Sequence, residues 1–133
     1  MEAVAKLIND PRKNNNAGSP RKARLVIDLI RGLNIDKALN ALRYTNKAVA
    51  EPIEKLLRSA IKNWEQKHGM DAADNNLYVK TCFVDAGKTM RRFQPAPQGR
   101  AYRIRKRTNH ITIIVASKTA VTNIEAENKK ASK

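Results

Sequence analysis

The chain opens with a brief apolar-rich stretch, Ala3-Val4-Ala5-Lys6-Leu7-Ile8, which predicts a short strand, and the polar run NDPRKNNNAG that follows reads as a loop. Ser19 before Pro20 predicts a helix start: a side-chain cap, then the residue best suited to the first helical position. Ala23, Val26, Ile27 and Ile30 recur at helical spacing, and Gly32 supplies a left-handed stop. Asn34 or Asp36 can cap a second short helix with Ala38, Leu39 and Leu42 on its apolar side. A third helix carries one continuous stripe through Val49, Ile53, Leu56, Leu57, Ala60, Ile61 and Trp64, and Gly69 ends it. Pro52 must lie in its first turns, since a deeper proline would remove a backbone hydrogen bond.

After Asn76 the period drops to two. Leu77, Val79, Thr81 and Phe83 alternate with Tyr78, Lys80, Cys82 and Val84, so each set should share a strand face. A matching run returns at Ile111, Ile113 and Val115. Joining the two runs makes a hairpin with a long excursion. At roughly 15 residues per strand and ~3.3 Å rise it would reach about 50 Å, too long to be stable alone. The pattern predicts an α+β fold: three helices on a small antiparallel three-stranded sheet, with one greatly extended basic β-hairpin. The expected organisation is a single domain, with a body over 1–85 and 108–118, an arm over 86–107 and a polar tail over 119–133.

The charge is strongly one-sided. The chain has 133 residues, with 27 Lys plus Arg against 12 Asp plus Glu, a net charge of +15. Such a small, cationic molecule repels itself unless a polyanion neutralises it. From Ala86 to Ile124 there is no acidic residue, whereas Lys88, Arg91, Arg92, Arg100, Arg103, Arg105, Lys106, Arg107 and Lys118 are basic. A solvated face would mix signs. This stretch interleaves arginines with Phe93 and Tyr102, which can stack on bases, and with Pro95, Pro97 and Gly99, which shape a turn. Arginine outnumbers lysine there, as bidentate phosphate recognition favours. A second cluster, Arg12, Lys13, Arg21, Lys22, Arg24 and Arg31, precedes and lines the first helix.

Other function classes fit poorly. The longest apolar run, Ile113 to Ala116, is far below the ~18 residues of a membrane span, and no export signal is expected at the N-terminus. Two prolines and a glycine near the arm's tip exclude a membrane-surface amphipathic helix. Cys82 is the single cysteine, so a disulfide framework and a cysteine zinc cluster are both excluded, and a reducing cytosol fits. His68 at a helix end and His110 on a strand have no catalytic partner at a telling spacing, though His110 could face RNA. With no phosphate loop, the chain reads as a non-enzyme without cofactor, metal or small-molecule substrate. Two nucleic-acid readings remain open from the residues alone. One is an architectural DNA-bending protein that wedges bases apart, and the other is a structural protein whose arm penetrates folded RNA.

The segments SPRKARLVIDLIRG, ALNALRYTNKAV, FVDAGKTMRRF and QGRAYRIRKRTNHITIIV closely resemble the bacterial type of the ribosomal protein L twenty-two family, in order and spacing, from about Ala3 to Ser117. The resemblance implies a cytoplasmic structural component of the large ribosomal subunit that binds 23S rRNA, touches neighbouring ribosomal proteins and supports subunit assembly. It also implies a body near the opening of the peptide exit tunnel and an arm threading rRNA. The arm's tip would line the tunnel constriction and meet the nascent polypeptide. That tip maps onto Met90, Arg91, Arg92, Phe93, Gln94, Pro95, Ala96, Pro97, Gln98, Gly99 and Arg100. Family members commonly carry basic residues where this chain has Ala96, Pro97 and Gln98. Phosphate contacts from those positions do not carry over, and a less cationic tunnel surface is expected.

Overall fold

Helix α1 (Pro20–Ile30) starts at the proline, and Gly32, at φ +74°, turns the chain after it. A computed structural model describes residues 1–9, 18–70, 72 and 76–118. Helix α2 (Ile35–Tyr44) follows Asn34, and α3 (Ala50–His68) ends on Gly69 in the left-handed conformation, with the Gly69 N–H bonded to the Glu65 carbonyl at 2.7 Å. Pro52 occupies the first turn of α3, where its missing N–H costs no helical hydrogen bond. Strand β1 (Glu2–Asn9) precedes the helices, and β2 (Leu77–Pro95) and β3 (Ala101–Ser117) follow them. The sheet is antiparallel in the order β1-β3-β2, so the last strand in sequence is central.

One face of this sheet is covered. Ala3 and Ala5 of β1, Val79, Cys82 and Val84 of β2, and Ile111, Ile113 and Val115 of β3 pack with Val26, Ile27 and Ile30 of α1 and Ile53, Leu57 and Trp64 of α3. Each buried Val, Leu or Ile side chain contributes about 1.5–3 kcal/mol. The expected helical stripes are buried as read, Leu39 and Ile61 only partly. The strand reading needs a correction. A register shift between Val79 and Thr81 puts an extra residue into β2 and reverses its parity. Leu77 and Val79 are therefore followed into the core by Cys82 and Val84, while Thr81 is exposed and Phe83 is 41% exposed on the open face.

Helix side chains cap both edges of the body's sheet. On the β2 edge, Arg24 Nη2 donates to the Val84 carbonyl at 3.1 Å and Arg31 Nη2 to the Cys82 carbonyl at 3.2 Å. On the β1 edge, Asn63 Nδ2 donates to the Val4 carbonyl and Lys67 Nζ to the Glu2 carbonyl, each at 3.2 Å. An uncapped edge invites pairing with another chain, so these contacts close the body laterally.

Beyond the Asn9↔Asn109 pair β1 ends, and β2 and β3 continue as a two-stranded ribbon to Pro95↔Ala101. From Ala86 to Pro95 this ribbon is about ten residues per strand, or roughly 33 Å at 3.3 Å rise. That is shorter than the sequence suggested, because β1 supports the first part of the excursion. A second register shift, between Ala86 and Thr89, lies where the third strand is lost. A Cβ on Gly87 would stand 2.2 Å from Thr108 Oγ1, so only glycine fits the strands together there.

Candidate nucleic-acid interface

Residues directly opposite in an antiparallel ladder share a face, so the register sorts the arm's side chains. Thr89 faces Arg107, Arg91 faces Arg105 and Phe93 faces Arg103 on one side. Met90 faces Lys106, Arg92 faces Ile104 and Gln94 faces Tyr102 on the other. The first side carries four arginines and an exposed phenylalanine. The second is mixed, and Met90 and Ile104, diagonal neighbours, are half-buried there. Steps of two along β3 show where the arginine side comes from. Val115, Ile113, Ile111 and Asn109 are buried beneath the helices, and Arg107, Arg105 and Arg103 continue the same side outward. The core face of the body thus becomes the arginine face of the arm.

This arrangement is electrostatically costly by itself. Like charges directly opposite in a ladder are destabilising, and Arg91↔Arg105 is such a pair. Among the described residues, Lys88, Arg91, Arg92, Arg100, Arg103, Arg105, Lys106 and Arg107 form no ion pair. The body differs. Arg58 and Arg43 bond Glu54 Oε1 at 2.6 and 3.4 Å, Lys55 pairs with Glu51, Lys62 with Glu65, and Lys80 with Glu2. The two guanidiniums hold the Glu54 carboxyl below its ordinary value, as Lys80 does for Glu2. Three cations of α3, Lys55, Arg58 and Lys62, are thus paired with carboxylates, and among the described residues those of the arm are not.

The tip closes with the Ala96 N–H donating to the Arg100 carbonyl at 2.9 Å, and Gln98 and Gly99 both take positive φ. Gln94 to Gln98 carry no charge. Phe93 and Tyr102 are 70% and 64% exposed on opposite faces. Helix α1 lies along β2 with its N-terminal end toward the arm: Gly32 N–H bonds Val79 O, and Arg24, further back in α1, reaches Val84, further out in β2. Arg21 and Lys22, exposed one turn beyond Arg24, extend the basic surface. Arg24 and Arg31, both exposed, also bond the β2 edge through part of their guanidinium groups, and Arg31 pairs with Asp28 at 2.9 Å. Arg12 and Lys13 lie outside the described residues, as does the tail from Thr119. His110, opposite Asp85, is half-buried at the arm's base. The Cys82 thiol is buried, 3.7 Å from the Ile27 carbonyl, and burial pushes its pKa up, which suits packing rather than reactivity. Among the described residues no cluster of His, Cys, Asp and Glu is arranged to hold a metal, and no helix is long and apolar enough to cross a membrane.

A small α+β body that roots a long cationic β-ribbon defines a class: a scaffold protein with a basic arm. Comparison with known proteins narrows it. The family profile described as Ribosomal protein L22p/L17e matches residues 12–116, and the chain belongs to that family. It is 53% identical over 115 residues to the large ribosomal subunit protein uL22 of Bacteroides fragilis, covering 86% of this chain and 80% of the relative. The uL22 proteins of Porphyromonas gingivalis and Flavobacterium johnsoniae are 50% and 51% identical over 111 and 105 residues, covering 84% and 78% of this chain, and 78% and 77% of the relatives.

Proposed function

We propose that this chain is a structural, non-catalytic protein of the large ribosomal subunit that binds rRNA through its arm and the N-terminal half of α1. The observation that supports this best is the segregation of charge: Lys55, Arg58 and Lys62 of α3 pair with carboxylates, whereas among the described residues the arm presents cations on both faces that form no ion pair. Folded RNA supplies phosphate on several sides at once, which a single duplex does not. The arginine face takes phosphates, Tyr102 and Phe93 offer stacking platforms on opposite faces, and the body fixes the angle at which the arm enters. The site comprises Arg21, Lys22, Arg24, Arg31, Lys88, Arg91, Arg92, Arg100, Tyr102, Arg103, Arg105, Lys106 and Arg107, with His110 at its inner end and Arg12 and Lys13 beside α1 in sequence. The body, 1–85 with 108–118, sits near the exit-tunnel opening. The tip, Met90 to Arg100 with its uncharged turn Gln94 to Gln98, lines the constriction beside the nascent chain, and neighbouring ribosomal proteins complete the setting in the cytoplasm.

Each phosphate neutralised should contribute about 0.7 to 0.9 to the logarithmic salt slope of binding. Replacing Arg103, Arg105 and Arg107 with Ala should weaken rRNA binding and flatten that slope. Deleting Pro95 to Gln98 removes no charge, so it should leave affinity near the parent's while changing passage of a stalling peptide through assembled ribosomes. Binding titrations at several salt concentrations check this, and a tip deletion as damaging as the triple variant would make the tip an anchor instead.

A further inference from the structure

Helix α1 has a second exposed side. Leu25 is 65% exposed and Leu29 52%, one turn apart and turned away from the core. The connection between α2 and α3 folds back across from them. Thr45 Oγ1 bonds the Ala41 carbonyl at 2.6 Å, Lys47 N–H the Thr45 carbonyl at 2.8 Å, and Ala50 N–H the Lys47 carbonyl at 2.8 Å. Between the two segments lies a concavity of about 380 Å³ lined by Lys22, Leu25, Asn46, Lys47, Ala48 and Val49. Its volume falls within the range of about 300–1,000 Å³ usual for small-ligand sites.

The lining is chemically selective. Leu25, Ala48 and Val49 make an apolar floor, Asn46 offers one amide with both a donor and an acceptor, and the rim holds two ammonium groups and no carboxylate. Among the described residues neither Lys22 nor Lys47 forms an ion pair. Single-stranded RNA is read by splaying a base onto an apolar or aromatic surface and hydrogen-bonding its edge, and asparagine amides suit that edge. We propose that this concavity is a subsite for one unpaired rRNA nucleotide, the base against Leu25 and Val49, its edge on the Asn46 amide, and the flanking phosphates on Lys22 and Lys47. The subsite rests on the RNA-binding reading above and adds to the arm a second contact on the body. Continuity with Arg21 and the arm-directed end of α1 favours a polynucleotide over an acidic peptide.

The test uses the full chain in two measurements. A photoreactive benzoylphenylalanine at position 25, in assembled large subunits, should crosslink to an unpaired nucleotide of rRNA. Attachment to a protein instead would overturn the proposal in favour of protein docking, and no adduct would overturn it outright. In titrations with an rRNA transcript, Lys22→Ala with Lys47→Ala should reduce affinity by about 3- to 10-fold and lower the salt slope by about 1.4 to 1.8, the yield of two phosphate contacts. Lys55→Ala with Lys62→Ala removes equal charge from the self-paired face of α3 and should change both much less. If the two double variants match, the concavity holds no nucleotide. If Arg103, Arg105 and Arg107 are also replaceable without effect, the RNA-binding reading itself fails, which separates the two failures.

Discussion

Gly87 shows how little room the base of the arm leaves. Its neighbour across the ribbon, Thr108, donates its hydroxyl to the Lys88 carbonyl at 2.8 Å, so the threonine cannot rotate away without losing that bond. Gly87→Ala should therefore force Thr108 out and cost about 1–3 kcal/mol, the range for overpacked sites. Combining it with Thr108→Ala should recover much of the loss, and a double-mutant cycle by chemical denaturation reads the coupling directly. At this scale the sequence was only partly legible. Trp64 and Ile53 announced their burial through helical spacing. Thr81 and Phe83 misled, because both favour strands and nothing in their spelling reveals an extra residue at Lys80. The charge of Arg24 and Arg31 was legible in the sequence, whereas the carbonyls they bond, 60 and 51 positions away, were not.

The helices and the ribbon differ in what holds them. Helix α3 buries a stripe against β1 and β3, and β3 above Asn109 has a hydrogen-bonded neighbour on each side. The ribbon beyond has only itself, with like charges opposed across it. Isolated two-stranded ribbons are marginal in water. Amides of Arg91 to Arg103 should exchange fast in the free protein, those of Leu57, Ile111 and Ile113 slowly, and added rRNA should slow the former. Strong protection of Arg91 to Arg103 without RNA would mean that the ribbon is ordered by its own contacts. The three helices and the sheet were readable because each has a period and a stop signal. The division of the arm into an arginine side and a mixed side was not, because it depends on the pairing register, which only the folded hairpin defines.

Among the described residues of the body, several carboxylates are placed where they restrain repulsion. Glu54 serves Arg43 and Arg58 together, and Glu2 ties the start of β1 to Lys80 on β2, across the central strand. Both carboxyls titrate below the ordinary glutamate value in the fold. Their contribution is therefore fully present above the unfolded value of about 4.3 and is lost as pH falls through the lowered folded values. Protonation also leaves the +15 chain more positive. Thermal melts should hold steady from pH 7 to about 5 and drop below about 4.3, more steeply at low salt. In Glu54→Gln that acid-side drop should be smaller, from a lower starting stability.

The place of β3 in the sheet has a mechanical consequence. The strand runs without a register break of its own from the tip turn into the middle of the body, held by antiparallel ladders to β1 and β2. A force on the tip along the arm is therefore carried by covalent backbone straight to the centre of the fold. There it loads the two ladders in shear, many hydrogen bonds at once, rather than peeling them apart one by one. An edge strand under the same pull would be held by one ladder instead of two. Tension between the tip and the body thus meets resistance from the whole sheet. The protein is built as a tie rod as much as a wedge.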